Sequence, residues 1–324
     1  MGDTDWVFVD TIIVTGNNFS ELPEIANGHL FGEGVKHKHL RELDLTANNI
    51  TTILPETFTG IPSLEKLVLA KNRIKLQENA VNFQLFRNTP MLKELDLTAA
   101  LDLSSAKQIE LWNEVFQQSE LQYLQKLRLA DNNLDQLPFD FFCSFPQLEV
   151  VDLSGNRLRR FGQELRCMQS LVDLDLSYND IDTAGSNFTR TIDEAAQFLR
   201  VNLTGNPWEC ECHLVDFIRW FHGSRRVVSK ELSSCLDAYP ESLEDTPLID
   251  LKLKELECRP DGQKHTHGVY IVMGLILVGL SAFLLCIGWF NRRCLCQATK
   301  QLTISNFGGY AKLGPDGEVR AEFV

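Results

Sequence analysis

Apolar residues recur along most of this chain at a spacing that fits neither a long helix nor a plain alternating strand. In Leu148-Glu149-Val150-Val151-Asp152-Leu153-Ser154-Gly155-Asn156-Arg157-Leu158 the apolar positions are Leu148, Val151, Leu153 and Leu158, with Asn156 fixed between the last two. The short alternation around Val151 and Leu153 predicts a strand with one buried face. The asparagine predicts a side chain bonding the backbone where the chain bends away. Earlier copies fall at Val9, Ile12, Val14, Asn17, Phe19; at Leu40, Leu43, Leu45, Asn48, Ile50; and at Leu64, Leu67, Leu69, Asn72, Ile74. Later ones fall at Leu171, Leu174, Leu176, Asn179, Ile181 and at Phe198, Val201, Leu203, Asn206, Trp208. One such coil cannot bury its own apolar face, so the copies must stack.

This is the L-x-x-L-x-L-x-x-N-x-L signature of a leucine-rich repeat, and it predicts an α/β solenoid of horseshoe form over residues 1–206 with about eight coils. Pro55 and Pro62 mark turns between copies, and Phe58 and Phe142 share a register expected on the convex side. The centre is irregular. The copy at Leu92, Leu95 and Leu97 has Ala100 in place of asparagine, and the copy at Leu124, Leu127, Leu129, Asn132 and Leu134 follows only after an insertion near 98–123. Within it, Ser104 is placed to cap a helix carrying Ile109, Trp112 and Phe116. Trp112 is a candidate partner-binding residue; the alternative is that the stripe pins the helix to the scaffold.

Aligning the copies places Arg41, Glu65, Lys93, Gln125 and Glu149 in one row on the concave side and Glu42, Lys66, Glu94 and Lys126 in another. The signs alternate across neighbouring strands about 4.8 Å apart, so these rows are expected to pair with themselves. A third row, Asp44, Val68, Asp96, Arg128, Asp152 and Asp175, is less balanced; its acidic end, Asp152 and Asp175 beside Asp173, is the candidate site for a basic protein ligand. The whole chain has a net charge of -13, which argues against nucleic acid or anionic lipid as the main partner. No nucleophile motif, phosphate loop or cofactor site is evident, so an enzyme is not expected.

Nine cysteines fall into three groups, the last of them Cys286, Cys294 and Cys296 near the end of the chain. Cys143 and Cys167 occupy similar registers of successive repeats, either bonded or as buried thiols. Cys210, Cys212, Cys235 and Cys258 form a disulfide framework with three possible connectivities, pointing to an oxidising compartment; zinc held by Cys210, Cys212 and His213 is the rival, disfavoured by that compartment. Asn18, Asn49, Asn187 and Asn202 head glycosylation sequons.

The run Asn206-Pro207-Trp208-Glu209-Cys210-Glu211-Cys212-His213-Leu214, followed by Cys235 and Cys258, resembles the cysteine-rich C-terminal cap of extracellular leucine-rich-repeat proteins. That resemblance implies a cap over residues 207–259 with Cys210 paired to Cys235 and Cys212 to Cys258. Cys235-Leu236-Asp237-Ala238-Tyr239-Pro240-Glu241, the irregular central repeats, one apolar span and a short tail together resemble the trophoblast glycoprotein (Wnt-activated inhibitory factor) family, most specifically from Leu124 to Cys258. The chain departs from the family in three features: no secretory signal, no N-terminal cysteine cap and a different tail. The first two suggest that the true start is missing.

After a linker at 260–268, the uncharged apolar stretch Val269–Phe290 is long enough to span a bilayer. Arg292 and Arg293 then place residues 291–324 in the cytosol, giving a single-pass type I protein of the plasma membrane. Cys294 and Cys296 are candidate palmitoylation sites. Tyr310 and Leu313 fit a sorting signal, and Glu322, Phe323 and Val324 fit a PDZ ligand. The resemblance implies a cell-surface glycoprotein whose repeats bind a protein ligand or co-receptor, on the concave face or the insertion, and inhibit Wnt signalling; the alternative is an adhesion protein with a PDZ-anchored tail.

Overall fold

The computed structural model describes residues 8–19, 36–76, 84–101, 103, 106–119 and 121–259. The apolar stretch at 269–290 and all of the tail lie outside them, as does Ser104 at the insertion helix. Among the described residues no helix is long and apolar enough to cross a membrane.

Each coil contributes one three-residue strand, running from β1 (Thr11–Ile13), β2 (Glu42–Asp44), β3 (Lys66–Val68) and β4 (Glu94–Asp96) to β5 (Lys126–Arg128), β6 (Val150–Asp152), β7 (Asp173–Asp175) and β8 (Arg200–Asn202). These pair in parallel, in chain order, so that Leu43, Leu67, Leu95, Leu127, Val151, Leu174 and Val201 form one continuous column. Every member of that column is buried. At about 1.5–3 kcal/mol for each fully buried aliphatic side chain, stacking supplies what a lone coil lacks.

The asparagines bond as their spacing predicts. Asn156 Nδ2 donates to the carbonyls of Leu153 in its own coil and Leu129 in the preceding one, both at 2.9 Å, while its Oδ1 accepts the N–H groups of Asn132 and Leu134 at 3.0 Å. Asn72, Asn132, Asn179 and Asn206 repeat the donation to the preceding coil. The ladder lacks a rung at Ala100, where the Ile74 N–H instead meets the Ala100 carbonyl at 2.7 Å. The last copy departs from the alignment at its first position. Leu199, in the turn after helix α2 (Ser186–Glu194), enters the core and Phe198 stands 75% exposed, while Val201, Leu203 and Asn206 keep the repeat spacing and β8 keeps its register with β7.

On the convex side Phe58, Phe86, Phe116 and Phe145 form a spine, with ring centroids 6.2, 6.3 and 5.8 Å apart in succession. Phe116 comes from the insertion helix α1 (Ala106–Gln118). The insertion thus contributes to the core. The cap adds β9 (Trp208–Cys210), helix α3 (Val215–Gly223), β10 (Val227–Val228) and β11 (Cys235–Ala238). β10 extends the long sheet beside β8, while β9 and β11 form a small sheet of their own. Disulfides join Cys210 to Cys235 and Cys212 to Cys258, leaving no thiol there for zinc. A third bond joins Cys143 to Cys167 across consecutive coils, with Cα atoms 5.3 Å apart. Lys230 Nζ closes the C-terminus of α3 by donating to the Ser224 and His222 carbonyls at 2.6 and 3.2 Å, and burial lowers its pKa.

Candidate functional site

The strand register brings the concave rows together as aligned. Arg41 meets Glu65 at 2.5 Å and Lys93 reaches the other oxygen of the same carboxylate at 2.8 Å. One row over, Lys66 pairs with Glu42 at 2.6 Å and Lys126 with Glu94 at 3.8 Å. Glu94 also holds Arg128, which lies 4.0 Å from Asp96. The Lys93 hydrogen bond is the chief reason the Glu65 carboxyl sits below its usual range. For Glu94, burial pushes upward, but the Arg128 hydrogen bond together with Arg128, Lys126 and Lys66 charges outweighs it and the net shift is down. These rows are self-neutralising charge ladders.

The acidic end is built differently. Asp173 pairs with Arg200 at 2.8 Å. Asp152 and Asp175 each spend Oδ1 on a turn at the end of the strand, accepting the N–H and hydroxyl of Ser154 at 3.0 and 2.6 Å and of Ser177 at 2.8 and 2.6 Å. Asp175 Oδ2 accepts the Asn202 amide at 3.1 Å. These are hydrogen bonds to neutral groups. Both carboxylates are fixed in direction.

The expectation for Trp112 is overturned. Its side chain is only 2% exposed and lies against Phe116, with ring centroids 5.7 Å apart. The helix turns Gln108, Leu111, Trp112, Val115 and Phe116 inward and leaves Ile109 half-buried, so the stripe pins α1 to the scaffold and offers no anchor to a partner. Gln108, a buried polar residue that apolar spacing cannot reveal, accepts the Leu76 N–H at 2.9 Å and donates to the Leu76 carbonyl at 2.7 Å.

Asn18, Asn49 and Asn187 are exposed, and Asn49 Nδ2 donates to Asn18 Oδ1 at 2.7 Å on the neighbouring coil. Asn202 is half-buried within the concave row. Cys294, Cys296, Tyr310, Leu313, Glu322, Phe323 and Val324 lie outside the described residues. Among the described residues no group of three or more His, Cys, Asp or Glu could hold a metal ion.

Stacked coils, a continuous parallel sheet and a disulfide-tied cap define a leucine-rich-repeat solenoid protein, and the family model described as "Leucine rich repeat" matches residues 38–99 and 122–181. Within that class the chain resembles trophoblast glycoprotein, as its cap and central repeats indicate. It is 26% identical over 297 residues to the protein of Macaca fascicularis, covering 89% of this chain and 69% of that one. With the Mus musculus protein it shares 28% identity over 262 residues, covering 78% of this chain and 57% of that one. The crystal structure of the human protein, also titled Wnt-activated inhibitory factor 1, superposes with a TM-score of 0.66 at 26% identity, covering 78% of this chain and 89% of that one. The chain thus spans only part of the length of its curated relatives.

Proposed function

We propose that the chain is a single-pass cell-surface glycoprotein whose repeats bind a protein partner and inhibit Wnt signalling. The observation that carries this reading is the likeness to the human protein titled Wnt-activated inhibitory factor 1, which extends over 89% of that structure. The proposed organisation is a repeat solenoid over 1–206, a cap over 207–259, a linker over 260–268, a membrane helix over 269–290 and a cytoplasmic tail over 291–324. Apolar length and the two following arginines support the span. The sequons at Asn18, Asn49 and Asn187, all exposed, suit an ectodomain.

A Wnt transcriptional reporter tests the reading, comparing cells with and without the full chain at measured surface density. The expected outcome is a dose-dependent fall in reporter output. An unchanged reporter at full surface density would remove Wnt inhibition and leave adhesion, with a PDZ scaffold at Glu322-Phe323-Val324, as the function to test by cell aggregation.

A further inference from the structure

The concave face divides into two unlike regions. On β2 to β5 and the residues leading into them, Arg41, Lys66, Lys93, Lys126 and Arg128 face Glu42, Asp44, Glu65, Glu94 and Asp96, five charges of each sign, and the ion pairs described above tie most of them together. A partner docking there would have to break those pairs and would meet little net field. On β6 to β8 the balance is lost. Glu149, Asp152, Asp173 and Asp175 face Arg200 alone. Of the two arginines leading into β10, Arg225 is exposed and Arg226 is spent on the backbone, donating to the Ala196 and Asp193 carbonyls at 2.5 and 3.3 Å.

The same region carries apolar side chains where the earlier strands carry charge. Val150 takes the register position of Glu94 and Lys126. Val172, 37% exposed, follows Glu65, Lys93, Gln125 and Glu149 in the row leading into the strands. Its carbonyl accepts the Arg200 N–H at 2.7 Å, and two residues before Arg200 stands Phe198, 75% exposed. An exposed aromatic and two valines offer area whose burial favours association, while fixed carboxylates of one sign around them steer and orient a partner. Because the turns at Ser154 and Ser177 already hold Asp152 and Asp175, these two residues lose little freedom when a partner arrives.

We infer that the C-terminal third of the concave face, centred on Val150 and Val172, with Phe198 on the turn that leads into β8, and framed by Glu149, Asp152 and Asp175, is the docking site for a protein segment that presents an apolar anchor flanked by lysine or arginine. This rests on the reading that the repeats bind a protein, and it specifies where and by what chemistry.

The probe is a displayed library of random short peptides selected on the purified full chain, followed by binding measurements on the enriched sequences. The expected result is enrichment of peptides that combine a large apolar residue with Lys or Arg. Their affinity should fall by about tenfold or more on Phe198→Ser, on Val172→Ser and on Glu149→Lys, and should weaken as salt rises. All three positions are exposed, so the variants should melt with the parent protein. Phe139→Ser, another exposed aromatic, outside these strands, should change nothing. No enrichment, or enriched peptides without this composition, would overturn the site. Peptides indifferent to Phe198 and Glu149 but lost on Lys66→Glu or Glu94→Lys would also overturn it, while leaving binding by the repeats in place. A flat Wnt reporter with the peptide results as expected would remove the signalling role and leave the docking site standing.

Discussion

At the scale of single residues, the ends of the strands follow a rule that ties two positions together. Where the strand closes on Asp44, Asp96, Asp152, Asp175 or Asn202, the residue two further on is Thr46, Thr98, Ser154, Ser177 or Thr204, and its N–H donates to the side-chain oxygen at 2.8–3.2 Å. Val68 and Arg128 cannot accept such a bond, and Ala70 and Ala130 follow them. When the acceptor is asparagine, this turn has the same spelling as a glycosylation sequon, so Asn202-Leu203-Thr204 is explained by the repeat itself. Asn202 is also half-buried within the concave row, whereas Asn18, Asn49 and Asn187 are exposed. Glycopeptide mass spectrometry of the surface-expressed chain should therefore find sugar at Asn18, Asn49 and Asn187 and none at Asn202; substantial occupancy at Asn202 would refute this account of the turn. Just beyond, Gly205 has φ +70, and a Cβ there would lie 2.5 Å from the Tyr178 ring. Gly205→Ala should lower stability by about 1–2 kcal/mol from backbone strain alone, measured by thermal denaturation.

At the scale of elements, the insertion shows how far apolar spacing carries and where it stops. The spacing of Ile109, Trp112 and Phe116 marks a helix, and the helix is there, but the choice between anchor and core is not written in that spacing because either role needs the same large apolar residues. The burial of Phe116 between Phe86 and Phe145 decides it. Trp112→Ala should accordingly cost about 3–5 kcal/mol in urea unfolding, in the manner of other large-to-small core changes, and Trp112→Phe distinctly less. A surface anchor would show almost no loss. The neighbouring convex segments are tied by Cys143–Cys167, which closes a loop with a sequence separation of 24. Chain entropy alone assigns such a crosslink about 3 kcal/mol, so the double Cys143→Ser, Cys167→Ser variant should unfold at correspondingly lower urea.

At the scale of the whole molecule, legibility follows repetition. Columns of leucine, rungs of asparagine and rows of paired charge were readable because each coil restates the same chemistry, so alignment alone puts Glu42, Lys66 and Glu94 side by side. What escaped was local to one coil or depended on distant backbone: the exposure of Phe198, the amide of Gln108 clasping Leu76, and the pairing of Asp173 with Arg200. The charge rows also set how the molecule responds to acid. Glu65 and Glu94 are held below the usual carboxyl value of 4.5 in the folded state, and Glu164 is lowered to about 2 chiefly by its hydrogen bonds from Arg166. A group with a depressed folded pKa contributes stability that is fully present above its unfolded value and is lost as pH falls through the folded one. The melting temperature should therefore receive a steady contribution from these pairs at neutral pH. That contribution should begin to fade near the ordinary carboxyl value of 4.5 and keep declining toward about 2. Glu94→Gln isolates the most enclosed of these pairs. It should cost about 1 kcal/mol at neutral pH, in keeping with a partly screened ion pair, and make the acid limb shallower. A mutant whose acid limb runs parallel to that of the parent would show that the Glu94–Arg128 pair contributes nothing to the acid response.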